Sequence, residues 1–197
     1  MAITVGGIVL CGGRSRRMGR PKEWLTIRAE PLLCRLVRIV GEAVQPLVVA
    51  ARADQELPIL PSGVEVVRDR WEDAGPLAGL QAGLEALRKQ TEAAFVTPCD
   101  HPWITPEFIH LLISKLGALP GIVIEHEGFQ FPLLGVYRVD VLATLQERVL
   151  RGERTAFAFA RACGAGVLPA DELRAIDPGL RSLRNLNSPA DWTEADS

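Results

Sequence analysis

The sequence predicts a three-layer α/β/α sandwich built on a mostly parallel mixed sheet. Short apolar runs alternate with amphipathic helical stretches over the first 116 residues, an order that requires parallel strands joined by crossover helices. The first run (residues 4–10) is almost continuously apolar, the character of a strand covered on both faces. Beyond residue 120, two strand-like runs around Gly128 suggest a hairpin, which makes the sheet mixed.

The elements follow in order. Residues 4–10 are the first strand, and residues 31–44 a helix with Leu32, Leu33, Leu36, Val37 and Val40 on one face at 3.6-residue spacing. Residues 47–51 and 64–67 read as the second and third strands, the third ending at Arg68-Asp69. Gly75-Pro76 punctuates a polar segment, and residues 77–88 form a helix. Residues 93–97 are the fourth strand, ending in Pro98-Cys99-Asp100. Thr105 caps a helix that has Pro106 at its first position and runs to about residue 116. Strands over 121–125 and 131–137 follow, then helices over 139–150 and 155–163. Short strands are expected at 167–168 and 183–186, and Ser188-Pro189 opens a last short helix. No internal repeat, low-complexity tract or interdomain linker interrupts the pattern, so residues 1–197 read as one domain.

Composition narrows the function. A formal net charge of -2 gives no bulk attraction to nucleic acid or anionic membrane. Arg14, Arg16, Arg17, Arg20 and Lys22 therefore form a local cluster, suited to a small anionic ligand. The cysteines at 11, 34, 99 and 163 make no CxxC pair and no metal-ligand spacing, which fits reduced thiols in a cytoplasmic protein. The opening residues lack a charged n-region, and no apolar run approaches the length of a membrane span.

The chemistry collects at strand ends. In IVLCGGRSRRMGRPK an apolar strand breaks into Gly12-Gly13, three arginines, Gly19 and Lys22. Glycines let backbone N–H groups approach a phosphate, and Arg and Lys neutralise it. Walker A is absent, because Gly19 is followed by Arg20-Pro21-Lys22-Glu23, and the dinucleotide GxGxxG pattern is absent too. Open α/β sheets bind ligands beyond the carboxyl ends of their strands. Asp69 and Asp100 stand at two further such ends. Carboxylates beside a triphosphate require a bridging cation, and Mg²⁺ takes only one or two protein carboxylates with phosphate oxygens and water.

LCGGRSRRMGRPK resembles the signature LxGGxSxRMGxxK of the molybdenum cofactor guanylyltransferases, within the wider nucleotidyltransferase family. VVRDRWEDAGPLAGL, TPCDHP, LRGERTAFAFAR and LRNLNSPADW resemble that family's later segments in the same order. The resemblance covers essentially the whole chain. It implies a Rossmann-like fold of the nucleotide-diphospho-sugar transferase type, with GTP and the molybdopterin cofactor as substrates and Mg²⁺ as the metal. The nucleotide-binding half would run to about residue 116 and the pterin-binding half beyond it. Transfer would need no protein nucleophile, since the attacking pterin phosphate is already an anion.

Carried over residue by residue, the resemblance implies that Leu10, Cys11 and Gly12 offer backbone groups to guanine and that Gly13 lets the chain pass close to the nucleotide. Arg17 and Lys22 would hold phosphates, Asp100 would ligate Mg²⁺ and Asp69 would contact the nucleotide. Gly79 would keep a helix start close to the ligand, and Arg154, Asn185 and Asn187 would face the pterin. One departure stands out. The family often has Asn just after the second strand, where this chain has Ala50 and Ala51. Related cytidylyltransferases share GRPK but read LAAG where this chain reads LCGG, and the missing side chain at Gly12 leaves room for a purine.

Simpler roles compete at several positions. Asp69 alone fits a turn or cap, and Asn185 and Asn187 fit turns. His101 is expected to point away from the site, and His110 and His126 to be structural. Cys11 and Cys99 fit small buried residues, since no paired base would activate a thiol nucleophile. Residues 14–20 are expected to be mobile without ligand. The expected partners are the two substrates, with transient contact to cofactor-synthesis proteins and molybdoenzyme chaperones, and the chain is expected to be a monomer. Two rival readings stay open: a cytidylyltransferase for the same cofactor or a sugar-phosphate nucleotidyltransferase, and a non-catalytic module that delivers nucleotide or pterin to a partner.

Overall fold

The computed structural model describes residues 3–12, 21–69, 75–186 and 191. Strand β1 (Val5–Leu10) lies in the interior of a seven-stranded sheet. A 3₁₀ turn (Lys22–Trp24) and a two-residue hairpin, β2 (Thr26–Ile27) with β3 (Glu30–Pro31), precede helix α1 (Leu32–Ala43). Strand β4 (Leu47–Ala51), strand β5 (Val64–Arg68), helix α2 (Pro76–Leu87) and strand β6 (Ala93–Pro98) follow. Helix α3 (Pro106–Leu116), strands β7 (Gly121–His126) and β8 (Phe129–Arg138), helices α4 (Leu142–Leu150) and α5 (Ala156–Ala162), and strand β9 (Gly166–Pro169) complete the order.

The strands lie in the order β5-β4-β1-β6-β8-β7-β9. β5, β4, β1 and β6 are mutually parallel, β8 runs antiparallel to both β6 and β7, and β9 is parallel to β7. The mostly parallel mixed sheet expected from the sequence is therefore present. Strand order turns back at β1: the first crossover leads to β4 on one side, and α2 carries the chain over to β6 on the other. Such a reversal opens a crevice at the carboxyl ends of the two diverging strands.

Alternation along β1 assigns its side chains to two cores. Val9 and Cys11 face α1 and α3, packing with Leu36, Val40, Phe108 and Leu112. Ile8 and Leu10 face α2, α4 and α5, packing with Leu80, Leu84, Leu145 and Phe159. Close approach fixes small residues in these layers. A Cβ on Gly83 would meet Ile8 Cγ2 at 2.7 Å, so only glycine lets α2 lie this near the sheet.

The α3 start follows its sequence signals, with Thr105 Oγ1 accepting from the Phe108 N–H at 3.3 Å. The β7–β8 turn is tighter than the sequence implied. Glu127 and Gly128, at φ of 51° and 79°, form a two-residue connection, and positive φ at both central positions matches the twist of the flanking strands. The strand expected at 183–186 is not one. Leu180 adopts φ 49°, and the Asp177 carboxylate accepts from the Arg181 and Ser182 N–H groups at 2.9 and 2.8 Å. These bonds wind Arg181–Leu183 into a 3₁₀ turn. The helix expected after Ser188-Pro189 begins outside the described residues. No helix among the described residues is long and apolar enough to cross a membrane.

Candidate active site

The ladder of β1 continues past its last paired residue. The Cys11 N–H donates to the Ala50 carbonyl at 2.8 Å, and the Cys99 N–H donates to the Leu10 carbonyl at 2.9 Å. Backbone on both sides therefore holds the end of β1 rigidly at the crevice. Leu10 and Cys11 are buried on opposite faces, whereas Gly12 is exposed. A Cβ on Gly12 would find nothing among the described residues nearer than Asp69 Oδ2 at 3.6 Å and Arg52 Cγ at 3.8 Å. Packing within the described residues thus leaves this position open space.

Lys22 reaches the same crevice from the 3₁₀ turn that follows Pro21. Its Nζ lies 2.9 Å from Asp100 Oδ2, and the two side chains are only 16 % and 21 % exposed. Asp100 directly follows Cys99 beyond the end of β6. Its other oxygen, Oδ1, accepts from His101 Nδ1 at 3.0 Å, and its carbonyl accepts from the Leu186 N–H at 2.8 Å. Burial pushes the Asp100 carboxyl up, but the hydrogen bonds and positive charge of His101 and Lys22 outweigh it and pull the pKa down to about 2. Asp100 is therefore a carboxylate at neutral pH.

His101 corrects one expectation. It does not point away: its ring turns back onto Asp100, is 5 % exposed and packs edge-on against Phe131 with centroids 6.5 Å apart. The turn after Pro98 places consecutive side chains together where a strand would have alternated them.

Asp69 stands at the end of β5, its N–H donating to the Ala51 carbonyl at 2.9 Å. Partial burial pushes its carboxyl up, Arg52 draws it down and Asp54 pushes it up further. Cys11 and Cys99 are the small buried residues anticipated. The neighbouring Cys99 and burial push the Cys11 thiol far above the ordinary range, so it is neutral.

The structure thus gathers Leu10, Cys11, Gly12, Lys22, Asp69 and Asp100 on one edge of the sheet. Gly79 lies in the second turn of α2, buried below that edge, where a Cβ would stand 3.3 Å from Leu10 Cδ2 and 3.5 Å from Ala50 Cβ. Its place is beneath the ends of β1 and β4, against Leu10 and Ala50. Asn185 is exposed and adjoins Leu186, so the bond from Leu186 to Asp100 brings it to the crevice wall. Arg154 is exposed, and its carbonyl lies 3.4 Å from where a Cβ on Gly75 would stand, just before α2. Arg17, Gly13 and Asn187 lie outside the described residues, as do residues 14–20 as a whole.

Sequence reasoning passed over a buried polar cluster beneath the crevice, formed by Gln55 and Glu23 with Arg68 beside it. Gln55 and Glu23 are 32 positions apart, and no periodicity or motif links them. The only available signal was a carboxylate directly after Lys22.

No group of three or more His, Cys, Asp or Glu able to hold a metal occurs among the described residues. A cation bound mainly by phosphate oxygens and water needs less. Asp100, ionised and at the crevice, fits the single protein carboxylate such an ion takes.

Known proteins resemble this chain in sequence and in fold. The family model described as "MobA-like NTP transferase domain" matches residues 7–166. A probable molybdenum cofactor guanylyltransferase of Opitutus terrae is 39% identical over 164 residues, covering 82% of this chain and 80% of that protein. One from Mycobacterium tuberculosis is 34% identical over 192 residues, covering 95% and 91%. In fold, the chain is similar to a molybdopterin-guanine dinucleotide biosynthesis protein A from Archaeoglobus fulgidus, with a TM-score of 0.79 at 23% identity over 97% of this chain and 96% of that one. The chain belongs to the MobA-like NTP transferase family and is a nucleotidyltransferase.

Proposed function

We propose that the protein transfers GMP from GTP to the molybdopterin cofactor, releasing pyrophosphate and forming the guanine dinucleotide cofactor. The observation that carries this reading is the Lys22–Asp100 pair at 2.9 Å, set at the sheet's switch point beside the open position at Gly12. A cation for phosphates and a carboxylate for a metal stand together where a nucleoside triphosphate would lie. The names of the homologues support the substrates.

In this reading the guanine lies against the backbone of Leu10, Cys11 and Gly12. The Ala50 carbonyl, accepting from Cys11, and the Cys99 N–H, donating to Leu10, keep that backbone from moving. Asp69 borders the nucleoside from the neighbouring strand. An oxygen of the pterin's terminal phosphate attacks the α-phosphorus of GTP, and the bond from that phosphorus to the oxygen leading to the β-phosphate breaks. The attacking group is already an anion, so no side chain need take a proton. Lys22, with Arg17, offsets the charge that grows on the departing pyrophosphate. Mg²⁺, held by Asp100 and phosphate oxygens, would supply further charge neutralisation and hold the phosphates in line. Asp100 performs its part because His101 and Lys22 keep it ionised.

The Lys22 ammonium carries three protons, so its bond to Asp100 does not bar a bond to a phosphate oxygen. On nucleotide binding Lys22 would take up a phosphate oxygen and Asp100 would help to hold the metal. Chain beyond residue 116, with Arg154, Asn185 and Asn187, forms the pterin side of the same domain. Leu186 bound to Asp100 links that side to the metal carboxylate.

The test is pyrophosphate release from GTP and Mg²⁺, with and without the pterin cofactor. Release only when both are present supports the proposal. Binding of GTP without turnover would favour a delivery module, and preference for CTP a cytidylyltransferase.

A further inference from the structure

Gln55 sits beneath the crevice, 5 % exposed, just beyond β4. Its Nε2 donates twice, to the Cys11 carbonyl at 2.9 Å and to Glu23 Oε1 at 2.6 Å, while its Oε1 accepts from the Arg52 N–H at 3.2 Å. Both amide protons and the amide oxygen are engaged, which fixes the orientation of the group. A flipped amide would set its oxygen against two acceptors. Glu23 is itself 4 % exposed. Arg68 NH1 donates to the carbonyls of Arg52 and Gln55 at 2.8 and 2.7 Å, tying this corner to the end of β5.

The two acceptors on Nε2 come from opposite sides of residues 13–20. Cys11 precedes that stretch and bears the carbonyl adjoining Gly12. Glu23 follows it, directly after Lys22. One buried amide therefore sets the spacing between the chain that faces the base and the chain that delivers the phosphate-binding ammonium. A buried carboxyl group needs hydrogen-bond partners, and the Gln55 amide supplies one to Glu23.

We infer that Gln55 and Glu23 are positioning residues for nucleotide binding, acting through the Cys11–Gly12 backbone and through Lys22. Neither touches the nucleotide. They hold the base-facing backbone and Lys22 at a fixed separation before the nucleotide arrives, which removes ordering that binding would otherwise require. The inference rests on the nucleotide site proposed above, though not on which base it accepts.

The test compares Gln55→Leu, Glu23→Leu, Glu23→Gln and the double leucine variant in the full chain. Dissociation constants for GTP and CTP, KM for nucleotide and for pterin, kcat and Tm are measured. Gln55→Leu and Glu23→Leu should each weaken nucleotide binding on the order of 10-fold, since small misplacements of positioned groups have effects of this size or larger. Pterin KM should stay within about 2-fold, and the double variant should bind nucleotide no worse than Gln55→Leu. Glu23→Gln keeps an acceptor oxygen and should recover most of what Glu23→Leu loses. If Gln55→Leu does not fold, the Glu23 pair carries the same comparison. Lower Tm with unchanged nucleotide binding would overturn the inference, as would equal losses for nucleotide and pterin. Binding is read without turnover, so an inactive wild type that still shows these losses would sink the transferase proposal and leave this inference standing.

Discussion

Asp100 is held between two cationic or donor groups on different parts of the chain: Lys22 Nζ on Oδ2 at 2.9 Å and His101 Nδ1 on Oδ1 at 3.0 Å. The Lys22 contact spans 78 positions and joins the arginine-rich segment to the end of β6. It places the proposed phosphate-binding cation and the proposed metal carboxylate within one hydrogen bond of each other. Removing either should have different consequences. Lys22→Met leaves Asp100 free for a metal and should reduce kcat about 100-fold or more, the loss expected when charge stabilisation of a leaving group is removed. Asp100→Asn should abolish the Mg²⁺ dependence as well as the activity. Steady-state kinetics across a Mg²⁺ series would separate the two, and an Asp100→Asn variant that still responded to Mg²⁺ normally would refute the metal assignment.

Acid stability follows from the same carboxylate. Its pKa is about 2 in the folded chain, below the 3.8 of an ordinary aspartate, so the folded state binds the proton less readily. The stabilisation is present in full above about pH 4 and is lost as pH falls toward 2. The shift corresponds to about 2 kcal/mol. Asp100→Asn lacks this contribution. The Tm difference between wild type and Asp100→Asn should therefore narrow between pH 4 and pH 2 and stay constant between pH 5 and 7.

Gly12 offers a test of base choice that does not disturb the fold. A Cβ there meets no described atom nearer than 3.6 Å, so Gly12→Ala should fold with Tm unchanged within a degree or two. With the base lying against this backbone, the added methyl should raise KM for GTP about 10-fold and leave CTP, a smaller base, little affected. Equal effects on both nucleotides would remove Gly12 from base selection.

The thiols should be chemically quiet. Cys11 and Cys99 are buried free thiols, and Cys11 is pushed strongly toward its neutral form, while only the thiolate is a nucleophile. Alkylation at pH 7.5 should label Cys11 and Cys99 only upon unfolding, as mass spectrometry of digests would show. Cys99→Ala should retain activity within about 3-fold. Loss of activity far beyond that, without loss of Tm, would point to thiol chemistry.

Most of the fold was legible because its elements announce themselves locally. The apolar runs of β1, β4 and β6, the Thr105-Pro106 start of α3 and the turn at Gly128 depend on neighbours within a few residues. The site residues that were legible sit at strand ends, where topology alone brings them together. What escaped depends on distant contacts or on turn geometry. Gln55 meets Glu23 and Cys11 across 32 and 44 positions. His101 turns toward Asp100 because the chain bends there. The strand expected at 183–186 gives way because the Asp177 carboxylate winds Arg181–Leu183 into a turn at its start.

The most direct measurement is a mass-resolved assay of the purified chain with Mg²⁺, the pterin cofactor, and GTP or CTP in parallel. The expected result is pyrophosphate release and a product heavier than the cofactor by the GMP moiety, from GTP and not from CTP, and lost in Asp100→Ala. A CMP adduct formed as readily, or activity surviving in Asp100→Ala, would contradict a guanylyltransferase built on the Lys22–Asp100 pair.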